Sequence, residues 1–168
     1  TYKDPDLPLD WRLNKALEIL SGPEDLARTT DCETLGLAGG IHKRKWEVDS
    51  GRHHLERALF YYLRGYAQGA PEGERANVLG YLEAKPGVTL DASKDRGYTG
   101  INAAFLLDLL ASQEEEEATR AGMHSEAARQ RRRHAQRIRR EVLDSVPSLA
   151  VGDNAWLQRE WWFYATIG

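Results

Sequence analysis

The sequence predicts an all-α protein assembled from antiparallel helical hairpins. Three observations carry that expectation. Apolar residues recur at three- and four-residue spacing through several long segments, the period of one helix face. No run alternates apolar and polar residues in the manner of a half-buried strand. Glycine, proline and capping residues punctuate the segments at their ends. With 168 residues, of which 41% are hydrophobic and 29% charged, the chain has a globular composition and room for one well-formed core.

The elements follow in order. After the extended start YKDPDLPL, Asp10 is placed to cap a helix whose apolar face is Trp11, Leu13, Leu17 and Leu20, ended by Gly22 and Pro23. PEDLART predicts a short helical turn with Pro23 at its first position and Glu24 and Asp25 at its positive end. Thr30 or Asp31 caps a helix running to about Val48, in which Gly36, Gly39 and Gly40 recur on a closely packed face. DSG turns the chain into a partner helix with Leu55, Ala58, Leu59, Tyr62 and Tyr66 on one face, ending near Gly69. A short helix is expected near residues 74 to 82. DRGYTGINAAFLLDLLA then opens a helix expected to reach about Ser112, followed by a charged turn EEEEATRAG. A polar helix from about Ser125 to Leu143 and a last helix in NAWLQREWWFYATIG complete the chain.

These pieces pair as hairpins over residues 31 to 67 and 98 to 143, with residues 154 to 168 beginning a third. Ala58, Tyr62 and Gly65 have the small, aromatic, small spacing of a tetratricopeptide helix, and Leu35, Ala38, Gly39 and His42 fit its partner. Trp162, Ala165 and Thr166 would restart that series. The linkers are longer than a strict repeat allows, so the expectation is irregular tetratricopeptide-like repeats in a single domain over residues 1 to 168. Trp161, Trp162, Phe163 and Tyr164 point around most of a helix because successive residues turn by about 100°. One side can cover the preceding hairpin. The other side reads as an exposed contact face, and the ending as truncation of a longer domain.

The formal net charge of -3 gives no global drive toward nucleic acid or anionic membrane. No apolar run reaches bilayer length, and no membrane partner is expected. The single Cys32 excludes an internal disulfide, and a cytoplasmic location is the default expectation. No cofactor is expected.

Candidate chemistry is sparse. GYTGIN has the glycines and threonine of a phosphate loop but lacks its lysine and any preceding strand. It reads better as a helix start, with Asp95 or Thr99 as cap, Gly97 in a backbone conformation closed to other residues, and Gly100 allowing close approach. Asn102, among apolar neighbours, is expected to clamp a backbone or face a ligand. His53 and His54 are adjacent, and their sequence positions suggest different sides of a helix. No metal set is expected from them with His42 and Cys32, and no catalytic residue is assigned. Between Arg120 and Glu141 there are eight arginines against two glutamates. Arg129, Arg131, Arg132, Arg133, Arg137 and Arg140 therefore form a candidate basic surface, although no aromatic is interleaved for base stacking and Glu114 to Glu117 oppose it. KRKWE at 43 to 47 adds basic groups beside Trp46. His42, Lys43, Trp46, Tyr98 and Asn102 make a candidate interaction groove.

Four stretches together resemble a known family: ETLGLAGGIHKRKWE at 33 to 47, LERALFYYLRGYAQG at 55 to 69, DRGYTGINAAFLLDLLA at 95 to 111 and WLQREWWFYATIG at 156 to 168. They look like the TRAFs-binding domain of apoptosis signal-regulating kinase kinase kinases and of bacterial proteins, with Gly39, Lys43, Trp46, Tyr98, Gly100, Ile101, Asn102 and Ala103 at pattern positions. The resemblance implies a tetratricopeptide-like regulatory domain that receives partners. In bacteria it sits beside effector or sensor domains of stress or anti-invader signalling. It transfers no catalytic residue. The leading expectation is a non-catalytic scaffold contacting a protein or an adjacent effector domain. The alternatives are an RNA- or DNA-binding adaptor using Arg129 to Arg140, and a small-ligand sensor or enzyme with a pocket between helices. No oligomeric state is assigned.

Overall fold

The computed structural model describes residues 6–22 and 25–167. Seven α-helices account for most of these residues, and no strand occurs among them. They are α1 (Leu9–Ser21), α2 (Cys32–Asp49), α3 (Arg52–Tyr66), α4 (Val78–Ala84), α5 (Tyr98–Arg120), α6 (Glu126–Ser145) and α7 (Trp161–Ile167). Short 3-10 segments extend α3, precede α4 and bridge α6 to α7.

The two long hairpins, α2 with α3 and α5 with α6, stack through α3 against α5. α1 leans on α2, and α7 closes on α6. This sequential stacking of paired helices is the expected tetratricopeptide-like arrangement. The main core lies where the hairpins meet, around Leu55, Tyr62, Leu106, Leu110, Ile138 and Val142, all fully buried.

Local chemistry explains the helix ends. Asp31 caps α2 by accepting from the Thr34 N–H at 2.7 Å, and Ser125 caps α6 through the Ala128 N–H at 3.0 Å. α2 runs unbroken through Gly39 and Gly40. Its glycines admit rings. A Cβ on Gly39 would stand 2.9 Å from the Tyr62 ring, and one on Gly36 2.7 Å from Tyr98. Gly97 has φ +77°, and Asp95 Oδ2 accepts from the Thr99 N–H at 2.8 Å, so the turn before α5 is closed by Asp95.

Several expectations change, and one lies partly outside the described residues. Asp10 does not cap α1; it lies inside the first turn, and Pro8 occupies the cap position without a side-chain bond. Of the α1 face only Leu13 is buried, while Trp11 is exposed. The turn after α1 is formed at residues 25 to 29 by Asp25, whose carbonyl accepts from the Arg28 and Thr29 N–H groups; Pro23 and Glu24 lie outside the described residues. α5 continues through the glutamate run to Arg120, because the acids find cations. Glu114 bridges Arg52 and Arg131, Glu115 meets His124, and Glu116 meets Arg120. The last segment is two pieces, since Glu160 is extended between a 3-10 stretch and α7.

Candidate functional site

A cleft of about 590 Å³ opens between α1 and α2, within the size range of small-molecule and side-chain pockets. α1 contributes Ile19 and Leu20, and α2 contributes Leu37, Gly40, Lys43 and Arg44. Tyr62 from α3 and Tyr98 from α5 also line it. The glycine pair of α2 makes this possible. Gly39 faces α3 and takes the Tyr62 ring in contact, whereas a Cβ on Gly40 would meet only the Tyr62 and Tyr98 hydroxyls at 3.5 and 3.7 Å.

Tyr62 is fully buried, and its hydroxyl has no hydrogen-bond partner of normal geometry. The Tyr98 ring crosses it edge-on at 5.9 Å, and the Tyr98 hydroxyl acts on that of Tyr62 electrostatically and through a loose side-chain hydrogen bond. Burial first, and Tyr98 next, raise the Tyr62 phenol above its ordinary range, so it is a neutral donor. A buried hydroxyl without a partner costs about 1 to 3 kcal/mol. The polar groups that a cleft ligand meets first are Lys43, Arg44 and the exposed Tyr98.

Sequence reasoning grouped His42, Lys43, Trp46, Tyr98 and Asn102. Three of these converge. Lys43 Nζ donates to Asn102 Oδ1 at 3.2 Å, tying α2 to α5, and the Asn102 amide donates to the Tyr98 carbonyl at 2.9 Å. Lys43 also stands 5.6 Å over the Phe105 ring. Trp46 instead packs against the core. His42 turns to α3, where its ring stacks on Tyr61 at 5.6 Å and lies 5.9 Å from His54. Burial, followed by His54, Lys45 and Arg57, pushes the His42 pKa down to about 4.

Adjacent His53 and His54 do not diverge as their positions suggested. Their ring centroids are 3.9 Å apart, beside Asp49. Cys32 sits at the first residue of α2, about 15 Å along the helix axis from His42, and its Sγ faces the Gly65 carbonyl at 3.7 Å. Burial, then Asp95 and Asp31, raises its thiol pKa.

The basic helix is largely neutralised within the chain. Arg129 and Arg133 pair with Glu126, Arg131 with Glu114, Arg137 with Glu141 and Arg139 with Asp108. Arg132 lies close enough to Glu115 to lower its pKa, after the His124 and Ser125 hydrogen bonds. Arg140 is exposed. At the C-terminal helix, Phe163 is buried while Trp161 and Tyr164 are exposed. The Trp162 side chain lies outside the described residues. Ala165 is exposed and Thr166 buried.

Tyr62 and Gly40 are the site residues that sequence reasoning placed elsewhere, as core and packing face. The doubled glycine was the available signal, because its two members face directions about 100° apart. No helix among the described residues is long and apolar enough to cross a membrane. The family model described as Tetratricopeptide Repeats-Sensor, or TPR-S, matches residues 10–107, more than half of the chain. That span contains every residue lining the α1–α2 cleft. No curated protein and no solved structure matches.

Proposed function

The chain belongs to the Tetratricopeptide Repeats-Sensor family, and from that premise we propose that it is a non-catalytic interaction and sensor module whose recognition groove is the α1–α2 cleft. The cleft itself, walled by aliphatic side chains of α1 and α2 and backed by Tyr62 and Tyr98, carries this reading. The groove fits an apolar group bearing an acceptor, with aliphatic walls from α1 and α2 and cationic donors from Lys43 and Arg44. Occupancy would bear on both hairpins, because the same wall contains the Lys43–Asn102 tie between α2 and α5.

The segments resembling the TRAFs-binding domain support extending the role to regulation of an adjacent effector domain in bacterial stress or defence signalling. Trp161 and Tyr164, exposed on α7, are the surface proposed for that neighbour. The core cluster runs from Leu55 to Phe163, which supports one unit over residues 1 to 168. A nucleic-acid role draws less support, since most of the α6 arginines are already engaged by carboxylates.

The test uses Gly40. Gly40→Leu extends a side chain into the cleft from a position where a Cβ makes ordinary contacts, and the gain in helix propensity over glycine is up to about 1 kcal/mol. Melting temperature is expected to hold or rise, while affinity capture from the native host loses a defined partner that the unmodified chain retains. An unchanged partner set in the folded variant would refute the groove. Turnover of nucleotide or nucleic acid by metal-free protein, lost in folded Asn102→Ala, would refute the non-catalytic reading.

A second prediction isolates the hydroxyl. Tyr62→Phe removes a buried unsatisfied group, so stability of the unliganded protein is expected to be unchanged or to rise by about 1 kcal/mol. A clear loss of stability in urea denaturation would show that the hydroxyl is satisfied in the free protein.

A further inference from the structure

We propose that the tip of the α2–α3 hairpin is a binding site for a divalent transition-metal ion, held by Asp49, His53 and His54. The three side chains each present one ligand atom, and these atoms lie within 4.8 Å of one another. The turn between the helices is built around them. Ser50 takes a left-handed conformation with φ 57°, and Asp49 Oδ1 accepts from the Gly51 N–H at 2.7 Å. That bond fixes the carboxylate, whose Oδ2 lies 3.2 Å from His54 Nε2. Gly51 makes the room. A Cβ there would stand 2.7 Å from His53 Cε1 and 3.0 Å from Asp49 Oδ1, so any larger residue would push His53 off the carboxylate.

His54 turns Nε2, and not Nδ1, toward the Asp49 carboxylate. His54 Nδ1 is buried without a hydrogen-bond partner, and so is Nδ1 of His42, whose ring stands 5.9 Å from that of His54. Lys45 is the opposing charge nearby, and the Asp49 carboxylate offsets it.

Two imidazoles and one carboxylate define the class of ion. Imidazole suits zinc, nickel, copper and cobalt, whereas magnesium and calcium prefer sites made of oxygen ligands. Three protein ligands leave coordination positions to solvent. The site is separate from the α1–α2 cleft and does not depend on the function proposed for that cleft.

The test is calorimetric titration of chelator-treated protein, without added histidine tags, using zinc and nickel chlorides and then magnesium chloride. The expected result is one saturable zinc or nickel site and no magnesium binding. His53 is exposed, so His53→Ala should keep the fold and weaken binding by about tenfold or more, the scale on which metal-site changes act. Gly51→Ala should weaken it without removing any ligand. Cobalt absorption in the visible range gives an independent reading of imidazole coordination. Absence of saturable binding at millimolar zinc would overturn the proposal, as would full-strength binding in both His53→Ala and His54→Ala, which would place the ion on His124 or His134.

Discussion

Glu141→Ala is expected to destabilise the protein by about 3 to 5 kcal/mol, the cost of stripping one partner from a buried ion pair. Glu141 is 4% exposed although it sits on a helix rich in arginine. Its Oε1 accepts from Arg137 Nε at 3.0 Å. Its Oε2 accepts from the Tyr66 hydroxyl and from the Leu90 N–H, the latter at 3.3 Å. Arg137 also donates to the carbonyls of Leu82, Lys85 and Val88. The pair therefore ties three parts of the fold together: the end of α3, the connection after α4, and α6. Alanine would remove the carboxylate partner of the guanidinium and leave the phenol and a backbone N–H without their acceptor.

Urea denaturation of Glu141→Ala beside Glu141→Gln measures the effect. The amide keeps one acceptor oxygen and should cost less. For a chain of this size the larger loss corresponds to a fall in melting temperature on the order of 10 °C. Hydrogen exchange at Leu90 should accelerate more than exchange within α2. A change below about 0.5 kcal/mol, typical of exposed positions, would mean that the node is solvated and that the loop at 85 to 97 is held by other contacts.

That node shows why part of the molecule was legible in sequence and part was not. Arg137 and Glu141 are four apart on a polar helix, a spacing that reads as a solvated surface pair. Burial comes from the connection after α4, which is the least periodic stretch of the chain and carries no signal of where it lands. α2 and α3 were legible because their information is local: Asp31 caps, the α2 glycines recur at helical spacing, and the apolar stripe of α3 is continuous. The end of α5 was misread for the opposite reason. Four successive glutamates look like a turn until Arg52 and Arg131, from two other helices, are placed against Glu114.

The candidate sites divide in the same way. Close packing along the α2 glycines followed from composition and spacing, but which glycine holds a ring and which leaves a cleft depends on where Tyr62 and Tyr98 arrive. The histidine pair depends on a turn. Consecutive residues on a helix diverge by about 100°, yet His53 and His54 open α3, where Gly51 leaves space for the first ring to fold back over Asp49.

Gly97→Ala is the other change expected to have a large effect, and two causes can be separated. The residue has φ +77°, a conformation that costs an L side chain about 1 to 2 kcal/mol. Its surroundings add a second cost. A Cβ would stand 2.9 Å from Val146 Cγ2 and 3.0 Å from both Val142 Cγ1 and Thr166 Cγ2. Those atoms belong to α6, the residue that follows it, and α7, so the start of α5 is seated against both. Overpacking of this kind costs about 1 to 3 kcal/mol, and the combined expectation is about 2 to 5 kcal/mol. Gly122→Ala supplies the control. It has φ +71° in the α5–α6 turn with no atom within 4 Å of the added Cβ, so it carries the backbone cost alone. The difference between the two variants in urea denaturation measures the packing at Gly97. Equal losses would mean that α6 and α7 yield to the methyl group without cost, and that the glycine at the head of α5 serves the turn and not the docking of the helices around it.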